Sequence, residues 1–178
     1  MLSTVQPNPG HYAIAELERS VPQVVVVTQN IDGLHQRAGS IDMIPLHGDI
    51  RRHRCFAGCQ SNPTYIDIDA FAWDRTAGPP ACPHCGALVR PDVVWFGELL
   101  PPGVFQRAET LCHQAEVLLA GGTSGEVPPA ASLPLVARRH GATVIEVNPN
   151  PSAITRRAHL FLQGPSGVVL PQVIAASR

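Results

Sequence analysis

Four of the five cysteines fall into two close pairs, Cys55-x3-Cys59 and Cys82-x2-Cys85, with 22 residues between them. No other feature leaves the chain so few choices. Four thiolates fill the tetrahedral shell of Zn²⁺ and leave no position for water, so the pattern predicts a structural zinc site of the ribbon type. The competing reading is four ordinary buried cysteines. A disulfide scaffold would be shorter, evenly paired and secreted, whereas this chain has 178 residues and an odd cysteine count. Thiolates kept for metal imply a reducing compartment. Around them, residues 51–86 are rich in Cys, Pro and Gly and show no apolar period, as expected of a small insert held by something other than a core. The glycines of "CFAGC" and "CPHCG" suit tight turns that aim amide N–H groups at sulfur. His84, between Cys82 and Cys85, reads as an outer neighbour of the site or as exposed, and Cys112 as a small core residue.

The remaining composition narrows the class. Lys+Arg 13 against Asp+Glu 14 gives a formal charge of −1, which lacks the electrostatic footprint of a general nucleic-acid binder or of an anionic-membrane binder. Hydrophobic content of 44% with 15% charged residues argues against disorder. No apolar run reaches the ~18 residues of a membrane span. The N-terminal MLSTVQPNPG has no basic start followed by an apolar stretch. The expectation is a cytoplasmic protein without nucleic-acid or membrane partners.

Asn8-Pro9 predicts a helix start, with Asn8 as N-cap, and Ala13, Ile14, Leu17 and Val21 recur at helical spacing up to Pro22. Gln23–Thr28 predicts a strand covered on both faces, because its β-branched run is unbroken. Val117–Ala120 and Thr143–Val147 read the same way. Between them 129–140 predicts a helix ended by Gly141, which completes a βαβ unit. A short strand is expected over His159–Leu162 and a helix after Pro171. The fold class is therefore α/β, with a parallel sheet and a small zinc-ribbon insert.

Chemistry-bearing residues gather where such sheets bind ligands. Gly121-Gly122-Thr123-Ser124-Gly125 follows an apolar strand, and its N–H groups suit phosphate or ribose hydroxyls, though an ordinary glycine turn reads equally well. Gln29, Asn30 and Asp32 crowd the end of the first strand in Thr28-Gln29-Asn30-Ile31-Asp32-Gly33. They suit hydrogen bonds to a ribose and a carboxamide, or capping of a short helix at Leu34–Ala38. His47 ends the apolar Ile44-Pro45-Leu46 and is either a general base or a core histidine. Val93-Val94-Trp95-Phe96 before Gly97 offers a peptide edge walled by aromatics, or a core strand.

Taken together, Thr28-Gln29-Asn30-Ile31-Asp32-Gly33-Leu34-His35, Leu46-His47-Gly48, the cysteine pairs, Arg90-Pro91-Asp92-Val93-Val94-Trp95-Phe96-Gly97-Glu98, Gly122-Thr123-Ser124, Val147-Asn148-Pro149 and Gln163-Gly164-Pro165-Ser166-Gly167 resemble a sirtuin, an NAD-dependent protein-lysine deacylase. The Val-Trp-Phe-Gly-Glu wording is similar to the branch of bacterial and desuccinylase-type enzymes. The resemblance implies a Rossmann-like NAD-binding part over 1–50 and 87–178, a zinc-binding small domain over 51–86, NAD as a consumed co-substrate, and structural Zn on Cys55, Cys59, Cys82 and Cys85. It implies that His47 is the general base acting on a ribose hydroxyl. Gln29, Asn30, Ile31 and Asp32 would line the nicotinamide and ribose. Gly122, Thr123, Ser124, Asn148, Pro149, Asn150 and Ser166 would hold the adenosine side. Val94, Phe96, Gly97 and Glu98 would meet acyl-lysine substrate, and the acyl group would pass to ADP-ribose as nicotinamide leaves.

The family's first strand, its Gly-Ala-Gly loop and its Ser-Gly-Ile-Pro-x-Phe-Arg segment have no counterpart upstream of Asn8. The expectation is an N-terminally truncated member with an incomplete sheet and two unpaired strand edges. Pro128 also stands where this branch often has tyrosine. The alternative is a non-catalytic, zinc-stabilised remnant, with mono-ADP-ribosyl transfer as a third reading. The expected partners are acyl-lysine proteins or peptides, and a monomer is favoured.

Overall fold

Asn8 starts the first helix as its sequence predicts. In the computed structural model, which describes residues 4–176, α1 spans Pro9–Ser20. The Asn8 side chain accepts from the Gly10 and His11 amides at 2.8 and 3.4 Å, and His11 Nδ1 accepts from the Asn8 N–H. Three donors that a helix start would leave unpaired are thereby satisfied or oriented. Packing then divides the chain into two units. The first comprises the chain up to Gln29, Leu34–Leu46 and everything from Leu100; the second comprises Asn30–Gly33 and His47–Leu99.

In the first unit, β1 (Val26–Thr28) pairs in parallel with β2 (Met43–Pro45) across α2 (Leu34–Ala38). The strand is shorter than the Gln23–Thr28 run because β2 offers only three partners. In the second unit, β3 (Gly48–Cys55) and β4 (Val89–Val93) form an antiparallel pair with a register shift between Asp49 and His53. The chain returns to the first unit with α3 (Val104–Gln114), β5 (Val117–Gly121), a 3-10 turn at Ala130–Ser132, α4 (Leu133–Arg139), β6 (Thr143–Asn148), β7 (Leu160–Gln163) and α5 (Ser166–Ala176). Strands β5, β6 and β7 are parallel, with β6 central. Among the described residues this ladder shares no strand pairing with β1–β2. The α/β class with parallel strands is as expected.

Two helices differ from expectation. The stretch 129–140 divides into the 3-10 turn and α4, with Pro134 near the start of α4, where a missing N–H costs nothing. Helix α5 begins at Ser166 rather than after Pro171, and Pro171 lies inside it. One backbone bond is forgone there. Leu170 and Ile174, four apart and both buried, pack against Ala13 and Val147 and hold the helix together.

The larger core joins Ile44 and Leu46 to Ala108 and Cys112 of α3 and to Leu133 and Ala137 of α4. The second unit has little of this. Its buried cluster is Cys55, Ile66, Cys82 and Val89, so half of its members are sulfur ligands in waiting. The coreless stretch 51–86 falls wholly inside that unit. No helix among the described residues is long and apolar enough to cross a membrane.

Candidate functional site

At the carboxyl edge of β5 and β6, three segments of the first unit meet. Gly122 has φ of 64°, a conformation open to glycine, and donates its N–H to the Val147 carbonyl at 3.1 Å. Asn148, the buried last residue of β6, donates through Nδ2 to the Thr123 carbonyl at 2.9 Å. Gly125 has φ of 68°, and a Cβ there would stand 2.4 Å from Ile154 Cγ1, so two loops touch where only glycine fits. Ser166 opens α5, and its Oγ lies 3.5 Å from the position of a Cβ at Gly121. Thr123, Asn148 and Ser166 thus sit round one turn whose Gly121 and Gly122 are exposed. Parallel sheets bind nucleotides at this edge. Pro149 and Asn150 follow Asn148 on the exposed loop, and Gln29 follows β1, half-buried.

In the second unit Asn30–Gly33 lies along the start of β3, where the Ile50 N–H donates to the Ile31 carbonyl at 3.0 Å. Gly33 packs flat on the Arg51 guanidinium, since a Cβ would come within 2.2 Å of its central carbon. Arg51 is held by the buried Asp49 through Nε at 2.9 Å and Nη2 at 2.5 Å. Burial pushes the Asp49 carboxyl up, but the bonds from Arg51 outweigh it and leave the group below its ordinary value. His47 precedes β3, half-buried, with its carbonyl accepting from the Val94 N–H at 3.0 Å. Gly48 has φ of 82°, and a Cβ there would stand 2.0 Å from the Asp92 carbonyl oxygen. The imidazole therefore stands on backbone held against the β4 segment through the His47 carbonyl and the close approach at Gly48.

The extended segment near the expected peptide edge ends earlier than the sequence suggests. Strand β4 stops at Val93, and Trp95–Glu98 is a turn closed by the Glu98 N–H to the Trp95 carbonyl at 2.9 Å, with Gly97 at φ of 88°. Phe96 and Leu99 are fully exposed. Glu98 is occupied: it accepts from Arg90 Nη1 and Nη2 at 2.5 and 2.9 Å and from the Trp95 N–H at 3.0 Å. Arg90 is buried, with its guanidinium 3.5 Å over the Trp95 ring. A charged fork stacked on an aromatic face stiffens this turn.

The four paired cysteines form one cluster, with all their sulfurs within 4.8 Å of one another. Cys55 and Cys85 Sγ are 3.6 Å apart, and Cys59 and Cys82 Sγ 3.9 Å. A tetrahedron with Zn–S bonds of about 2.3 Å has edges of roughly 3.8 Å, so the donor set fits zinc. Burial pushes the Cys55 thiol up, but amides of Cys59 and Ala57 and the neighbouring sulfurs bring it down to about 6. Burial, and then the sulfurs of Cys85, Cys82 and Cys55, push Cys59 up to about 12. Thiols this close ionise together only when a cation joins them.

Residues 1–129 match the family model described as the Sir2 family. The chain belongs to the Sir2 family. An NAD-dependent protein deacylase of Pyrococcus furiosus is 45% identical over 173 residues, which cover 97% of this chain and 69% of that protein. The NAD-dependent protein deacylase 2 of Pyrobaculum aerophilum is 49% identical over 174 residues, covering 98% and 67%. Among solved structures, a Sir2 homologue–NAD complex aligns with a TM-score of 0.87 at 40% identity, covering 98% of this chain and 66% of that one. A Sir2–p53 peptide–NAD⁺ complex aligns at 0.88 and 31%, covering 99% and 72%. The chain thus spans about two thirds of the length of these relatives.

Within this Sir2-family chain, the structure adds side chains that brace the expected site residues and that the sequence motifs do not mark. Neither Asp49 nor Arg51 stands among the expected site residues, and Arg90 enters only as part of a motif. A signal existed for Asp49 and Arg51, since opposite charges two apart on one strand share a face. None existed for Arg90 with Glu98, which meet only because the chain turns between them.

Proposed function

We propose that this chain is an NAD-dependent protein-lysine deacylase of the cytoplasm. The observation that carries the reading is the junction of Gly122, Thr123, Asn148 and Ser166 at one sheet edge, in a chain 45% and 49% identical to proteins named for this activity. In this reading Gly122, Thr123, Ser124, Asn148, Pro149, Asn150 and Ser166 hold the adenosine side of NAD, and Gln29, Asn30, Ile31 and Asp32 serve the ribose and nicotinamide. Bound NAD supplies an electrophilic ribose carbon once nicotinamide departs. His47 takes the proton from a ribose hydroxyl; imidazole is the side chain most often used for such transfer. Its pinned backbone keeps the ring placed for that one task. Val94, Phe96, Gly97 and Glu98 serve the acyl-lysine peptide. Phe96 offers apolar surface, and Glu98 acts by holding Arg90 and the turn. The p53 peptide in a related complex supports a peptide substrate. Zinc on Cys55, Cys59, Cys82 and Cys85 has a filled shell and a structural role.

The test is release of nicotinamide from NAD in the presence of acetyl- or succinyl-lysine peptide. His47→Ala should lower the rate by on the order of a hundredfold or more with zinc content and circular dichroism unchanged. Equal rates in the two proteins would contradict the role of His47. No release by folded, zinc-loaded protein would favour the zinc-stabilised, non-catalytic alternative.

A further inference from the structure

Glu146 is a carboxylate in the middle strand of a parallel sheet and is 0% exposed. Among the described residues it has no cationic partner in an ion pair. It is met instead by three neutral donors: Ser152 Oγ at 2.5 Å, Thr155 Oγ1 at 2.6 Å and Asn148 Nδ2 at 2.7 Å. Burying a carboxylate is costly unless its oxygens are hydrogen-bonded, and these three bonds serve both of them. Burial pushes the carboxyl up, but those bonds outweigh it and the group stays below its ordinary value.

Each donor does a second thing. Ser152 Oγ accepts from the Ile154 N–H at 3.0 Å, and Thr155 Oγ1 accepts from the Ser152 N–H at 2.8 Å. Both hydroxyls therefore transmit the carboxylate's pull to the backbone of the loop after β6. Asn148 donates its other Nδ2 hydrogen to the Thr123 carbonyl. Both amide hydrogens are spent on acceptors, which fixes the flip of the amide and leaves Oδ1 as its one unspent atom, an acceptor suited to a hydroxyl. The two loops also touch through Ala153 N–H to Ser124 O at 3.2 Å and through Gly125 against Ile154.

We propose that Glu146 is a positioning residue: from inside the sheet it locks the Gly121–Gly125 turn and the loop at 149–155 into one unit and sets the amide of Asn148. That the unit then receives the adenosine side of NAD rests on the function proposed above. A residue that merely filled space would be replaceable by leucine. A positioning residue would be replaceable by glutamine, whose oxygen can still accept from Asn148 and Ser152.

Two measurements separate these. In ligand-free protein, Glu146→Leu should speed amide hydrogen exchange about tenfold in 122–125 and 152–158 while β5 and β6 stay protected, and Glu146→Gln should stay near wild type. For ADP-ribose binding, Glu146→Leu should raise Kd about tenfold and Glu146→Gln by no more than about threefold. Unchanged exchange in both loops of Glu146→Leu would overturn the proposal. Wild-type protein that fails to bind ADP-ribose, with loops still loosened in Glu146→Leu, would overturn the nucleotide reading and leave the lock standing. If Glu146→Leu does not fold, Ser152→Ala reads the same lock from its other end, and unchanged exchange at 122–125 in that variant overturns it.

Discussion

Glu98 shows how a motif residue acts through its neighbour. The bond from Arg90, and then the Trp95 amide, hold its carboxyl down to about 2, against an ordinary 4.5. A lowered carboxylate contributes stability that is complete above 4.5 and is lost as pH falls towards 2. Wild-type protein should therefore lose more stability between pH 4.5 and 2 than Glu98→Gln, measured as thermal midpoints across that range. Parallel pH profiles for the two would contradict the Arg90 pairing. At this scale, sequence was most informative where a residue's role is local. Asn8, Pro9 and Gly141 act on the adjacent few residues, and all three stand at helix ends as predicted. Glu146 reads in sequence only as an odd charge in an apolar run; its partners at 148, 152 and 155 become neighbours through the loop.

Among the elements, the two cysteine turns and α1 make opposite demands. The turns have Ile66 and Val89 beside them and little other buried apolar surface, so metal supplies what packing does not. Chelation should open 51–86 to protease while the helices of the other unit stay resistant, with the cut sites read by mass spectrometry. Resistance of 51–86 in zinc-free protein would contradict this. Helix α1 depends on its cap and on α5. Asn8→Ala should cost about 1 kcal/mol, seen as a lower denaturation midpoint. Both elements were legible beforehand, the turns from spacing and α1 from Asn8-Pro9. The start of α5 was not, because Pro171 resembles a helix start and the residues that carry the helix, Leu170 and Ile174, straddle it. The three later strands fall within a residue of their apolar runs at each end, but the length of β1 was hidden: an apolar run marks where a strand can form, and its partner decides how much of it does.

For the whole molecule, sequence alone carried the family. Its motifs lie far apart in the chain, and their joint order is more specific than any one of them. Sequence did not give which side chains brace those motifs, because Asp49–Arg51, Arg90–Glu98 and Glu146–Asn148 depend on turns and loops with no signature of their own. The claim that stands above the rest is that NAD is consumed to remove an acyl group from lysine, with His47 as the base. The most direct measurement is mass spectrometry of both products after incubation of zinc-loaded protein with NAD and an acyl-lysine peptide. Free lysine peptide with an equal amount of O-acyl-ADP-ribose, both lost in His47→Ala, is the predicted result. Deacylated peptide without O-acyl-ADP-ribose, or neither product from folded protein, would contradict it.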